Sequence, residues 1–228
     1  MSSKVTELKT ESLIAGTTPR GTLFVVSSPS GGGKGTLIRR VLDVDVIPHL
    51  SYSVSYTTRA PRYGELEGRE YFFVDRSAFE RMIAAGEFLE WACVHGNLYG
   101  TAKHQVAVET AAGLDIILEV DVQGADSVRH LLLDSVSVFI LPPSYEVLKQ
   151  RLIARGTDTH EELEVRLRNA PEELNQYSKF DYIIFNDNVE RASSQLASII
   201  HAERARRAHQ ESLVKEVIQK FKDSCETI

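Results

Sequence analysis

Two hydrophobic periods take turns along the chain: short continuous apolar runs, and segments whose apolar positions recur every three or four residues. Residues 22–27 (TLFVVS) are a β-branched apolar run, the pattern of a buried strand. A glycine-rich turn follows, and then Leu37, Ile38, Val41 and Leu42 recur at helical spacing. Residues 51–56 and 71–74 read as short strands, separated over 57–69 by an exposed loop rich in Arg, Pro, Gly and Glu. Ser77 reads as the N-cap of a helix carrying Phe79, Met82 and Ile83, which Gly86 ends. Residues 88–94 form another strand, Gly96 and Gly100 are turns, and 101–112 is helical up to Gly113. The runs 115–122 (DIILEVDV) and 135–141 are apolar strands, the first ending in acids and the second closed by Pro142 and Pro143. Helices over 144–155 and 161–177, a last strand over 182–185, and helical periodicity from Val189 to near the end complete the pattern.

Strands alternating with helices predict an α/β fold: a three-layer parallel sheet with helices on both faces. The stretch 51–100 departs from that rhythm and reads as an inserted β-rich subdomain, and the arginine-rich stretch near 151–169 as a second, smaller excursion. Length changes little here, since 228 residues with 43% hydrophobic positions suit one domain with a real core. Charge changes more. A net charge of -6 is the wrong sign for a generic nucleic-acid binder, so any anionic ligand must meet a local basic cluster. The first twenty residues mix charge and polarity and read as a flexible extension, and no stretch approaches a membrane span. Two distant cysteines, Cys93 and Cys225, support neither a zinc site nor a disulfide framework and fit a reducing cytoplasm.

The turn after the first strand is Ser28, Pro29, Ser30, Gly31, Gly32, Gly33, Lys34, Gly35 and Thr36. Small residues let backbone N–H groups approach phosphate oxygens, and the following helix aims its positive end at them. Gly33 and Lys34 satisfy the phosphate-loop pattern G-x-x-x-x-G-K-[ST], with Lys34 reaching the β- and γ-phosphates. Ser28 replaces the first glycine, and Gly35 replaces the hydroxyl residue that normally touches Mg²⁺. The metal is then expected on nucleotide phosphates, waters and a carboxylate. The alternative, an ordinary glycine-rich turn, does not require the strand before and the helix after.

Downstream, Arg59 and Arg62 flank a proline and offer a fork for a phosphate, although Glu65, Glu67 and Glu70 could pair them as a solvated network. Glu119 and Asp121 end an apolar strand, at the carboxyl edge where open α/β sheets bind ligands; Glu119 is read as orienting water on Mg²⁺. The run Arg204, Arg206, Arg207 and His209 reads as a solvated helix face.

The loop, then S-x-T-T-R-x-P-R-x-G-E, Glu70-Tyr71-Phe72-Phe73, Phe88-Leu89-Glu90, Tyr99-Gly100-Thr101 and Asp121-Val122-Gln123-Gly124 follow in that order. Pro142-Pro143, Arg155-Gly156 and Asn186-Asp187 continue the series. Together they resemble the guanylate kinase family, over about 21–207. The resemblance implies a P-loop nucleoside monophosphate kinase, ATP + GMP giving ADP + GDP, with dGMP accepted beside GMP and Mg²⁺ beside ATP. It implies a core over 21–50, 101–150 and 170–207, a GMP-binding insert over 51–100 and a helical lid over about 151–169; beyond it, the helical periodicity gives a C-terminal helix over 208–228. By similarity, Arg59, Arg62, Tyr71 and Tyr99 hold the GMP phosphate, and Ser55, Glu90, Thr101 and Asp121 surround the guanine. Arg151, Arg155 and Arg166 are lid and transfer-site arginines, and Asn186 lies near the adenine. Family members usually carry Asp where Glu119 stands, and proline where Tyr63 stands.

Base chemistry agrees. Guanine offers N1–H and N2 amine donors, which suit carboxylates, and O6 and N7 acceptors, which suit hydroxyls. Adenine reverses the polarity at position 6. Two other readings remain: a guanylate-kinase-like module that binds proteins without catalysis, which loss of Lys34, Arg59 or Arg62 would favour, and a kinase for another mononucleotide. Homo-oligomerisation is left open.

Overall fold

The computed structural model describes residues 20–43, 47–94, 96–132, 134–156 and 159–225; the expected N-terminal extension lies, but for Arg20, outside the described residues. β1 (Leu23–Ser27) is buried along its whole length, and its successive side chains enter two different cores. Phe24 and Val26 join Ile117, Val138 and Ile140 against Leu37, Ile38 and Val41 of α1 (Lys34–Asp43) and Ala192, Leu196 and Ile200 of α7 (Val189–Arg204). Leu23 and Val25 join Ile116 and Leu118 against Val106 of α3 (Lys103–Ala111) and Ala125 and Val128 of α4 (Val122–Leu131). A strand buried on both faces needs apolar residues throughout, which is why TLFVVS does not alternate. The result is the expected three-layer α/β arrangement.

The central sheet has five parallel strands in the order β2-β7-β1-β8-β9, where β2 is Leu50–Tyr52, β7 Asp115–Glu119, β8 Val136–Leu141 and β9 Tyr182–Phe185. A second sheet of four strands has the order β4-β3-β6-β5, with β3 Ser55–Thr57, β4 Tyr71–Phe73, β5 Phe88–Val94 and β6 Asn97–Ala102. It has its own small core, in which Phe79 of α2 (Arg76–Ala84) stacks on Phe88, with Leu98 beside them.

Several boundaries differ from expectation. The run over 51–56 is two strands in two sheets: the Ser53 N–H still bonds the Ile117 carbonyl at 3.0 Å, and the chain crosses to the second sheet before Ser55. The second sheet therefore spans 55–102 rather than 51–100. Gly100 is no turn but the middle of β6, where a β-carbon would meet the Phe88 ring at 2.9 Å. The N-cap of α2 is Asp75, which accepts from the Ala78 N–H at 2.7 Å, not Ser77. The apolar run from 115 stops at Glu119, because Asp121 caps α4 by accepting from the Gly124 N–H at 2.7 Å.

α5 (Tyr145–Arg155) starts at its Ser144 cap and ends on Gly156 in the left-handed region, φ 61°. A capping box of Thr159 and Glu162 opens α6 (His160–Leu174), which gives way to a 3-10 turn over Asn175–Lys179 where helix was expected. Leu148 and Leu152 of α5 pack on Leu163, Leu167 and Ala170 of α6. The C-terminal helical pattern breaks after Arg204, and α8 (Arg207–Cys225) buries none of its residues. Arg204 is not a solvated charge: it donates to Asp115 at 2.6 Å and to the Pro48 carbonyl at 2.8 Å, tying α7 to the sheet. No described helix is long and apolar enough to cross a membrane.

Candidate active site

β1 delivers the chain into the glycine-rich loop at the carboxyl edge of the sheet, and α1 begins at Lys34 with its positive end toward that loop. The loop is fixed from the far side of the sheet. Asn186, following β9, donates its side-chain amide to the Gly32 carbonyl at 2.9 Å, and Arg151 of α5 reaches the same carbonyl at 3.2 Å and the Asn186 carbonyl at 2.8 Å. Gly33 has φ 93°, and a β-carbon there would lie 2.3 Å from the Asn186 amide, so only glycine fits. From α6, Glu173 accepts from the Ser30 N–H at 2.9 Å and Arg166 donates to the Ser30 hydroxyl at 2.7 Å. The Ser28 hydroxyl, in the position of the pattern's first glycine, turns inward to the Pro29 carbonyl at 2.9 Å.

Beside the loop, the Lys34 ammonium lies 3.7 Å from Glu119, whose carboxylate accepts from the Tyr52 hydroxyl at 3.2 Å. Burial and the Glu119 charge push the Tyr52 pKa far up, so the phenol stays a donor.

The other wall is the second sheet. Arg59 donates to both oxygens of Glu65, at 2.9 and 3.0 Å, and lies over the Tyr71 ring at 5.4 Å. With side chains 13% and 17% exposed, this pair is largely covered rather than a solvated network. Glu65 also accepts from the Arg62 N–H at 2.7 Å, so one carboxylate holds the Arg59 guanidinium and the Arg62 backbone. Tyr71 and Tyr99 meet edge to face at 5.8 Å, and burial pushes the Tyr71 pKa up to about 12.

Between the walls, Glu90 is 8% exposed and accepts from the Thr101 hydroxyl at 2.7 Å. Burial, reinforced by the nearby Asp121 charge, raises its pKa to about 7 against the lowering effect of the Thr101 hydrogen bond. Ser28, Ser30, Gly31, Gly33, Lys34, Tyr52, Ser55, Arg59, Arg62, Tyr71, Glu90, Tyr99, Glu119, Asp121 and Arg166 share a single cleft of about 570 Å³. That cleft brings together a glycine-rich loop, an arginine fork and the Glu90, Glu119 and Asp121 carboxylates.

A family model for guanylate kinase matches residues 20–203. The chain belongs to the guanylate kinase family. It is 46% identical to the guanylate kinase of Geobacter sulfurreducens over 197 residues, covering 86% of this chain and 96% of that one. It is 50% identical to that of Symbiobacterium thermophilum over 188 residues, covering 82% and 88%. The crystal structure of guanylate kinase from Anaplasma phagocytophilum superposes with a TM-score of 0.69 at 34% identity, covering 83% of this chain and 89% of that one.

Within this guanylate kinase fold, three of the expected site residues are already hydrogen-bonded. Asn186 is 1% exposed and donates its amide to the Gly32 carbonyl, and Arg151 reaches the same carbonyl, so both hold the loop. Thr101 is fully buried and donates its hydroxyl to Glu90. Arg155 is the last residue of α5, and its side chain lies outside the described residues. The Pro29 and Gly32 carbonyls accept hydrogen bonds that hold the loop, and Gly35 and Thr36 lie in the first turn of α1.

Sequence reasoning missed Tyr52, Glu173 and the positioning role of Glu65. Tyr52 ends a strand at the carboxyl edge of the sheet, a place that could have flagged it. Glu173 had no signal, since nothing local says that α6 returns to the loop.

Proposed function

We propose that the protein transfers the γ-phosphoryl group of ATP to GMP, and to dGMP, giving ADP and GDP. The observation that carries this reading is the single cleft lined by the loop, by Arg59 and Arg62, and by Glu90 and Asp121. A GMP phosphate oxygen attacks the γ-phosphorus while the bond to the β–γ bridging oxygen breaks, with ADP leaving. Such transfer needs alignment and charge neutralisation more than covalent help.

Lys34 and the loop N–H groups hold the donor phosphates. Arg59 and Arg62, with Tyr71 and Tyr99 as hydroxyl donors, hold the acceptor phosphate. The Glu90 and Asp121 carboxylates accept from guanine N1–H and N2, and Ser55 meets its acceptor side. Adenine would leave these buried groups unpaired. Arg166, with Arg155, serves the transferring group, and closure of α5 and α6 as a lid excludes water that would otherwise take the phosphoryl group. Oxygen donors beside a phosphate loop suit Mg²⁺. Glu119 would hold it through water, and when bound the ion neutralises charge on the β- and γ-oxygens. A protein that uses ATP and GMP fits the cytoplasm, where both nucleotides are found.

A coupled assay of ADP release with GMP, dGMP, AMP, UMP and TMP tests the reading. GMP should exceed AMP in kcat/KM by about 10³-fold or more, by the rejection a hydrogen-bonding site achieves. Lys34→Ala should lose about 10²-fold or more in kcat. Greatest activity with AMP would refute the guanine assignment, and no activity with any nucleotide would leave a binding module.

A further inference from the structure

Position 35 is where the phosphate-loop pattern puts the hydroxyl that touches the metal, and this chain has glycine there. The space beside it is not vacant. A β-carbon built on Gly35 would lie 3.3 Å from Glu119 Oε1 and 3.4 Å from Oε2. The carboxylate thus packs against the bare backbone, closer than a side chain at 35 would comfortably allow. Three contacts hold it there. The parallel register sets Glu119 opposite Val26, one residue before β1 ends. The Tyr52 hydroxyl donates to Oε2 at 3.2 Å, and the Lys34 ammonium lies 3.7 Å from Oε1.

We propose that Gly35 and Glu119 are a compensated pair: Glu119 supplies, through water, the protein oxygen for the metal–nucleotide in place of the loop's missing hydroxyl, and Gly35 is what lets its carboxylate come close enough. This rests on the reading of the cleft as a metal–ATP site. The pairing works in one direction only. Aspartate at 119 is one methylene shorter and falls back from the loop. Serine at 35 meets the Glu119 oxygens sterically and draws them into a hydrogen bond, away from the ligand. Both changes together remove the crowding and return a hydroxyl to the loop, with a shorter acid behind it. Tyr52 is a positioning residue, fixing the carboxylate without touching the ligand.

The test measures Mn²⁺ affinity by the electron paramagnetic resonance of free Mn²⁺, in the presence of saturating ADP, for the wild-type protein, Gly35→Ser, Glu119→Asp and the double variant. Nucleotide affinity in EDTA is measured alongside, as a readout of the loop alone. Each single substitution should weaken Mn²⁺ by about tenfold, the low end for residues that support a metal site. The double variant should return to within about threefold of wild type, and metal-free nucleotide affinity should stay within about threefold throughout. Additive losses in the double variant, or tighter Mn²⁺ binding in Gly35→Ser alone, overturn the pairing while leaving the metal site intact. If ADP fails to tighten Mn²⁺ binding even in the wild-type protein, the metal reading falls and takes the pairing with it. Tyr52→Phe should move Mn²⁺ affinity in the same direction as Glu119→Asp; an unchanged affinity would remove its positioning role.

Discussion

If Glu90 recognises guanine, GMP binding should titrate near neutrality, which is unusual for a carboxylate. The group sits 8% exposed between the second sheet and α4, and its pKa is raised to about 7, first by burial and then by the charge of Asp121. Guanine N1–H and the N2 amine are donors, so only ionised Glu90 answers both with full acceptor strength. At pH 6 about a tenth of the protein carries that charge, so KM for GMP should be about tenfold above its value at pH 8 and above. KM for ATP should not follow, because Glu90 belongs to the second sheet and not to the glycine-rich loop.

The phosphate of GMP itself titrates near pH 6, so wild-type data alone would mislead. Glu90→Gln keeps an acceptor oxygen for N1–H but cannot ionise, and serves as the baseline. Its KM should be higher at pH 8 by a factor set by about 1–3 kcal/mol, and the ratio to wild type should shrink toward one as pH falls from 8 to 6. Stability supplies a second readout with its own sign. A raised carboxylate pKa means that the folded state holds its proton longer than the unfolded chain does. The stabilisation this gives is complete below the unfolded value of 4.5 and is lost as pH rises through about 7, by on the order of 3 kcal/mol in total. Glu90→Gln should therefore gain on wild type in urea unfolding between pH 5 and pH 8. A KM ratio that stays flat over this range would refute the reasoning, whatever the size of the loss at pH 8.

Three further outcomes follow from the contacts. Glu65→Ala removes the carboxylate that holds Arg59 and the Arg62 backbone, and should raise KM for GMP by about tenfold with KM for ATP unchanged; steady-state kinetics with each substrate varied would check it. Glu173→Ala takes the acceptor from the Ser30 N–H and should cost about 1–3 kcal/mol, read as a raised dissociation constant for ATP or as lost stability to urea. Truncation after Gln210 removes most of α8, a helix that buries no residue, and should leave kcat and both KM values within about twofold in the coupled assay.

How far the sequence carried these conclusions differs element by element. The central sheet was legible because β1, β7 and β8 are buried on both faces, and such strands announce themselves as unbroken apolar runs. The second sheet was read less well. β2 and β3 form one polar-flanked run in the sequence, and only the pairing of β2 with β7 and of β3 with β6 separates them. α4 was hidden because its capping Asp121 ends an apolar stretch that reads as more strand, and α6 was overrun because Pro171 lies inside it rather than at its end. The chemistry of the site was legible where it is local, as in the glycine-rich loop. It was hidden where it depends on contacts made across the fold. Asn186 and Arg151 carry the right side chains for a nucleotide site, yet their hydrogen bonds to the Gly32 carbonyl could not be foreseen from spacing.

Those distant contacts explain how a chain with net charge -6 can hold two anions in one cleft. Its cations do not stand as an unbalanced positive field. Arg59 is held by Glu65, Lys34 faces Glu119, and Arg151 is committed to backbone carbonyls. Each acid limits repulsion between neighbouring cations and fixes a long side chain whose rotamer entropy would otherwise be lost on binding. The same pairing lowers the attraction left for any one phosphate, so charge alone should bind mononucleotides weakly and without choice. On the proposed reading of the cleft, discrimination then falls to Glu90, the buried acid whose pKa is raised to about 7. A protein organised this way should lose selectivity before it loses phosphate binding when Glu90 is neutralised, and should lose phosphate binding while keeping its preference for guanine when Glu65 is removed.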